Sequence, residues 1–96
     1  MIFVDGQSNE RLVLDGDWFE KHRGGQPKTR VPAASFRGAQ WAEIEQRTKL
    51  FGGDKQRLVQ VTLTFDGGPI VGFITDAGRR SELDTLVAKL EAARAA

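Results

Sequence analysis

Arg57-Leu58-Val59-Gln60-Val61-Thr62-Leu63-Thr64-Phe65 decides the fold. Val59, Val61, Leu63 and Phe65 fall on one side of an extended chain. Leu58, Gln60, Thr62 and Thr64 fall on the other. Four apolar residues at period two predict a half-buried strand, because successive side chains of a strand point to opposite faces. Asp66-Gly67-Gly68-Pro69 then turns the chain, and residues 70–75 return as the hairpin partner.

Downstream the period changes. Leu83, Leu86, Val87 and Leu90 stand at i, i+3, i+4 and i+7, continuing to Ala93. That is one apolar helix stripe, over about residues 77–94. Ala88, Ala92, Ala93, Ala95 and Ala96 add helix propensity. Asp76 or Ser81 can cap its start, and Ser81-Glu82-Leu83-Asp84 approximates a capping box. The stripe must be buried on a sheet.

Upstream, Arg11-Leu12-Val13-Leu14 reads as a strand, turned by Asp15-Gly16 into a partner over residues 17–23. Trp18 and Phe19 then point to opposite faces, which puts one of them at an edge or the surface. Residues 24–28 read as a loop, with Pro27 barred from a central ladder. Residues 29–32 form a short strand, and residues 33–36 a bend that delivers Phe36 to the core. Residues 37–46 alternate weakly, with Trp41 and Ile44 on different faces. Residues 48–55 read as a long loop with an apolar tip, Leu50-Phe51, beside Gly52-Gly53. The 11 glycines and three Asp-Gly steps divide the chain into short segments, as a β-rich fold requires.

Composition bounds the rest. At 96 residues the chain is one domain, hiding roughly 60–70% of its unfolded surface. It has no cysteine, which excludes disulfides, thiolate metal sites and cysteine nucleophiles. No apolar run approaches the roughly 20 residues of a bilayer span. Met1-Ile2-Phe3-Val4-Asp5-Gly6 has no basic region ahead of an apolar stretch, so no signal peptide is expected and a cytoplasmic setting is.

Charge is nearly balanced, 14 Lys plus Arg against 13 Asp plus Glu. The distribution is uneven: Lys21, Arg23, Lys28, Arg30 and Arg37 cluster with only Glu20 against them. Beside Trp18 or Trp41 these cations form a candidate surface for nucleic acid, an anionic lipid or another anionic ligand. The competing reading is a solvated basic edge that discourages strand-on-strand aggregation. Leu50 and Phe51 are either an exposed apolar anchor for a partner or a plug folded over one end of the sheet.

Catalysis finds little footing. His22 is the sole histidine, set between Lys21 and Arg23. None of Ser8, Ser35 and Ser81 sits in a Gly-x-Ser-x-Gly elbow. A lone histidine without cysteine makes no zinc site. Asp15-Gly16-Asp17 lacks the later oxygen ligands of a calcium loop, and Gly24-Gly25 lacks P-loop spacing. Glu43 and Glu45 share a strand face and read as a solvated edge rather than an acid–base pair. No catalytic residue, metal or cofactor is expected.

Residues 11–20, with their apolar strand, Asp-Gly turn and second strand, resemble the opening hairpin of bacterial pleckstrin-homology-like domains, in particular small actinobacterial ones. Residues 29–41 are similar to that family's basic-apolar-proline strand, short bend and tryptophan-bearing strand. Val61-Thr62-Leu63-Thr64-Phe65 and Val71-Gly72-Phe73-Ile74-Thr75 precede the helix, as the family's last hairpin precedes its capping helix. The resemblance covers residues 11–94 and rests on the order of elements. Two departures stand out. Residues 2–5 add an apolar segment ahead of the usual first strand, and residues 41–55 are poor in apolar residues where the family places another strand.

The expectation is therefore one α+β domain over residues 1–96. It is a bent antiparallel sheet or partly open barrel of six to seven strands, capped by one C-terminal helix. The resemblance implies a non-enzymatic interaction or scaffold module with a protein partner or a second copy of itself, most simply docked on a strand edge. The alternatives are a basic-patch module for nucleic acid or an anionic ligand, and a small phage or host-defence inhibitor, which has the size but no signature.

Overall fold

The computed structural model describes residues 1–47 and 55–95. Seven strands precede one helix among them: β1 (Ile2–Asp5), β2 (Glu10–Asp15), β3 (Trp18–Arg23), β4 (Gln26–Pro32), β5 (Phe36–Arg47), β6 (Lys55–Phe65), β7 (Ile70–Asp76) and α1 (Arg80–Ala95). They form two antiparallel meanders, a four-stranded sheet in the order β1-β2-β3-β4 and a three-stranded sheet in the order β5-β6-β7. The architecture is α+β, and the sheets do not close into a barrel.

Alternation places the core. Val59, Val61, Leu63 and Phe65 of β6 are buried with Val71 and Phe73 of β7. From the other sheet come Val4, Leu12, Leu14 and Phe19. Leu83, Leu86, Val87 and Leu90 of α1 complete one cluster. Phe65 joins the layers: its ring stacks on Phe19 at 5.1 Å and meets the edge of Phe36 at 5.8 Å. The turn Ala33–Ser35 between β4 and β5 delivers Phe36 inward, as its apolar character requires. α1 begins after a tight turn over Ala77–Arg79, where Asp76 Oδ1 accepts from the Gly78 amide. Asp76 thus caps the short turn that leads into α1, and Ser81 lies within the helix.

The structure gives a role to one segment and corrects several expectations. Residues 2–5 are a true strand: β1 pairs with β2 from Ile2 opposite Leu14 to Asp5 opposite Arg11, and buries Val4. Pro27 is not in a loop. It stands in β4 opposite His22, beside a register shift between Lys21 and His22. Because β4 is an edge strand, a missing N–H is tolerated there. The connecting turn shrinks to Gly24-Gly25, whose φ angles of +60° and +79° suit a two-residue hairpin loop and disfavour any side chain. β5 is a full strand through Arg47 despite its sparse apolar residues, because β6 pairs along its whole length. Lys55 belongs to β6, whereas Leu50, Phe51 and the rest of residues 48–54 lie outside the described residues. Leu58, expected on the polar side of β6, is buried. It pairs with Ile44 and lines one cleft with Ala77.

The two sheets meet through polar links rather than a ladder. Thr75 Oγ1 donates to the Asp5 carbonyl at 2.7 Å, and Lys21 Nζ donates to the Gly72 carbonyl at 2.9 Å. Gly6 lets the chain pass against β7. A Cβ there would overlap the Phe73 ring and lie 2.6 Å from the Ile74 carbonyl oxygen.

Candidate functional site

Strand pairing sorts the basic residues. Cross-strand partners share a face, so Lys21, with Thr29, follows Phe19 and Val31 toward the inner side of the four-stranded sheet. There Lys21 Nζ sits 3.0 Å from Glu10 Oε2 and holds the Gly72 carbonyl of β7. It is a mostly covered bridge between sheets. Arg30, on the outer face, lies 4.1 Å over the Trp18 ring and 3.7 Å from Glu20 Oε2. Arg37 belongs to the other sheet and pairs with Asp66 at 3.4 Å. Arg23 and Lys28 are exposed at the far end of the β3–β4 hairpin and form no ion pair with the described residues. The five cations of the sequence cluster are thus divided among an inner face, an outer face, a hairpin end and a second sheet.

The two tryptophans also part company. Trp18 is 40% exposed on the outer face, while Phe19 beside it is fully buried. Trp41 packs against the core and is covered by the Arg80 guanidinium of α1, 3.8 Å from its ring. Trp41 therefore offers no open stacking surface next to the basic hairpin. The sequence reading missed Phe3, 45% exposed with Arg11 lying 4.3 Å over its ring. The signal was present, since Phe3 and Val4 split between surface and core as Trp18 and Phe19 do.

The outer face carries two further polar pairs. His22 Nε2 lies 2.8 Å from Glu20 Oε1. Arg11 Nε donates to Asp5 Oδ1 at 2.6 Å, which holds the Asp5 carboxyl below its usual range and raises Arg11. Ser35 Oγ donates to the Pro32 carbonyl at 2.6 Å, and no described serine hydroxyl bonds to His22. Among the described residues no three His, Asp or Glu side chains gather closely enough to hold a metal ion.

A cleft of about 440 Å³ opens between the start of α1 and the β5–β6 pair, lined by Glu43, Ile44, Glu45, Arg57, Leu58, Val59, Ala77 and Arg80. Beyond Leu58, opposite Asp76, β7 no longer covers β6, so the two strands run on as a ribbon. Glu43 and Glu45 stand opposite Val59 and Arg57 on the core-facing side of this ribbon, where the apolar interior gives way to charge.

Among the described residues, four strand edges border the two sheets. β1 offers only four residues. β4 carries Pro27, Pro32, Lys28 and Arg30, which obstruct a further strand. β7 is approached by Lys21 at Gly72 and by Gly6 at Ile74. β5 has 12 residues and no proline. Its edge is met by α1 at the start, where Arg94 Nη1 donates to the Arg37 carbonyl at 2.7 Å. From Gly38 onward, the β5 backbone bonds to no described backbone other than β6.

Comparison with known proteins finds no family model, no curated protein and no solved structure that matches this chain.

Proposed function

We propose that this chain is a non-enzymatic interaction module of pleckstrin-homology-like fold, whose partner adds a strand along β5. Support for the fold reading is the order of elements: a four-strand meander, a three-strand meander and a C-terminal helix. The interaction reading is carried by one observation. Among the described residues, β5 is the longest of the four edge strands and free of proline, and its backbone from Gly38 onward is bonded to no described backbone besides β6. Main-chain bonds to such an edge supply affinity, and side chains at alternate positions supply selectivity. The charges of Glu43 and Glu45 on its inner face reject an indiscriminate apolar strand.

Selection from a random linear peptide library, followed by amide chemical-shift mapping, tests this. Selected peptides should perturb β5 amides and should be lost with Glu43→Pro, which removes an amide on the side of the strand marked by the Arg37 carbonyl, away from β6. Peptides that map to other elements overturn the β5 reading. The absence of catalysis is tested with His22→Ala, which should leave fold and binding intact. A chemical activity lost in that variant with stability preserved would make the protein an enzyme.

A further inference from the structure

We infer that the strand taken up by β5 is β5 of a second copy of this chain, paired antiparallel about a two-fold axis. This rests on the proposed use of β5 and names its partner. The argument is the order of charge along the strand. Arg37 stands at its start, at the register shift between Phe36 and Gly38, and Glu43 and Glu45 stand toward its far end, while Arg47, the last residue, falls beyond the overlap of either antiparallel register considered below. An antiparallel copy sets Arg37 of each chain opposite Glu45 of the other when the axis passes Trp41, or opposite Glu43 when it passes Gln40. A parallel, in-register copy sets arginine against arginine and glutamate against glutamate. Unlike charges directly across two strands are favourable and like charges are not. The strand therefore complements its own reverse, which is what a two-fold, isologous interface demands.

The surroundings permit the pairing. Among the described residues, Arg94 closes the edge at the Arg37 carbonyl, and the run from Gly38 onward is left for a ladder centred on residues 40–41. Arg37 is 3.4 Å from Asp66, but both side chains are about two-thirds exposed, at 66% and 64%. An ion pair so solvated holds its arginine weakly, and the guanidinium can turn to a carboxylate across the axis. Joining two three-stranded sheets along β5 gives a continuous six-stranded sheet with both free β5 edges removed.

Sedimentation equilibrium should find a dimer. Arg37→Glu should weaken it about tenfold, because the two-fold axis counts each change twice. Adding Glu43→Arg and Glu45→Arg to that variant should restore it. The chain has no cysteine, so Gln40→Cys reports position cleanly. Two such chains should be joined by a short bis-maleimide, whereas Ile70→Cys chains, altered at an exposed site on β7, should not. A protein that stays monomeric up to roughly 1 mM, the weak end of specific association, overturns the inference. So does a dimer indifferent to charge reversal or unlinked through position 40. A monomer whose β5 still captures library peptides removes the second copy and leaves the proposed function standing. A monomer that captures none on β5 removes both.

Discussion

Lys21 shows how one residue changes meaning when its strand is placed. In the sequence it belongs to a basic cluster with Arg23, Lys28, Arg30 and Arg37. In the fold its ammonium spans two sheets, bonded to Glu10 and to the Gly72 carbonyl. Removing it leaves a mostly covered carboxylate and a backbone acceptor without their donor. Lys21→Ala should therefore cost roughly 1–3 kcal/mol, seen as a lower urea midpoint. A lost ligand with an unchanged midpoint would return Lys21 to the binding surface. Asp5 provides a second residue-scale test. Its folded carboxyl is depressed by the Arg11 bond, so its contribution is present at neutral pH and lost as pH falls through the folded value. The pair is nearly half exposed, and solvent screening keeps the effect small. Asp5→Asn should lower stability slightly at neutral pH, change it least in strong acid, and so flatten the acid limb of the stability curve from about pH 4 downward. A variant that keeps the wild-type acid slope would show that the bond is not made in solution.

At the scale of elements, α1 is held by one stripe, Leu83, Leu86, Val87 and Leu90, against both sheets. Leu86 is completely buried. Leu86→Ala should cost roughly 2–5 kcal/mol, the transfer and cavity cost of a core leucine, measured by denaturant unfolding. An unaltered transition would mean that the helix is not docked. β5 behaves differently. Ala39 and Trp41 pack toward the core, but Glu43 and Glu45 carry the same face into solvent. The second half of β5 thus owes its extended form to β6 and not to burial. A two-stranded ribbon gains little stability by itself, so this is where an added strand has most to contribute.

Across the whole molecule, the division of the basic residues bears on the runner-up function. Arg23 and Lys28 remain exposed and unpaired with described residues at one hairpin end, while Lys21, Arg30 and Arg37 have carboxylate neighbours. Two cations neutralising two phosphates give a log–log salt slope of roughly −1.4 to −1.8. Fluorescence anisotropy with single-stranded and duplex DNA and RNA, and flotation with anionic liposomes, should show weak binding at low salt and almost none at physiological salt. A steep salt dependence abolished by Arg23→Glu with Lys28→Glu would make that hairpin end the functional site.

The sequence by itself determined the elements whose evidence is local. The alternation of Val59, Val61, Leu63 and Phe65, the turns at Asp15-Gly16 and Asp66-Gly67, and the leucine stripe of the helix each depend on neighbours a few positions apart, and each stands in the fold. It also separated Trp18 from Phe19, because a strand has only two faces. Tertiary structure decided what depends on distant partners. Residues 2–5 became a strand only because β2 offers them an edge, and Pro27 entered a strand only because β4 is outermost. Trp41 was taken from the surface by Arg80, which lies 39 positions along the chain. Lys21 left the basic cluster because its face of β3 continues the inner side marked by Phe19 and ends at β7. Periodicity along a chain assigns a side chain to one of two faces. Which face meets water, and which edge stays open, is fixed only when the sheets and the helix have taken their places.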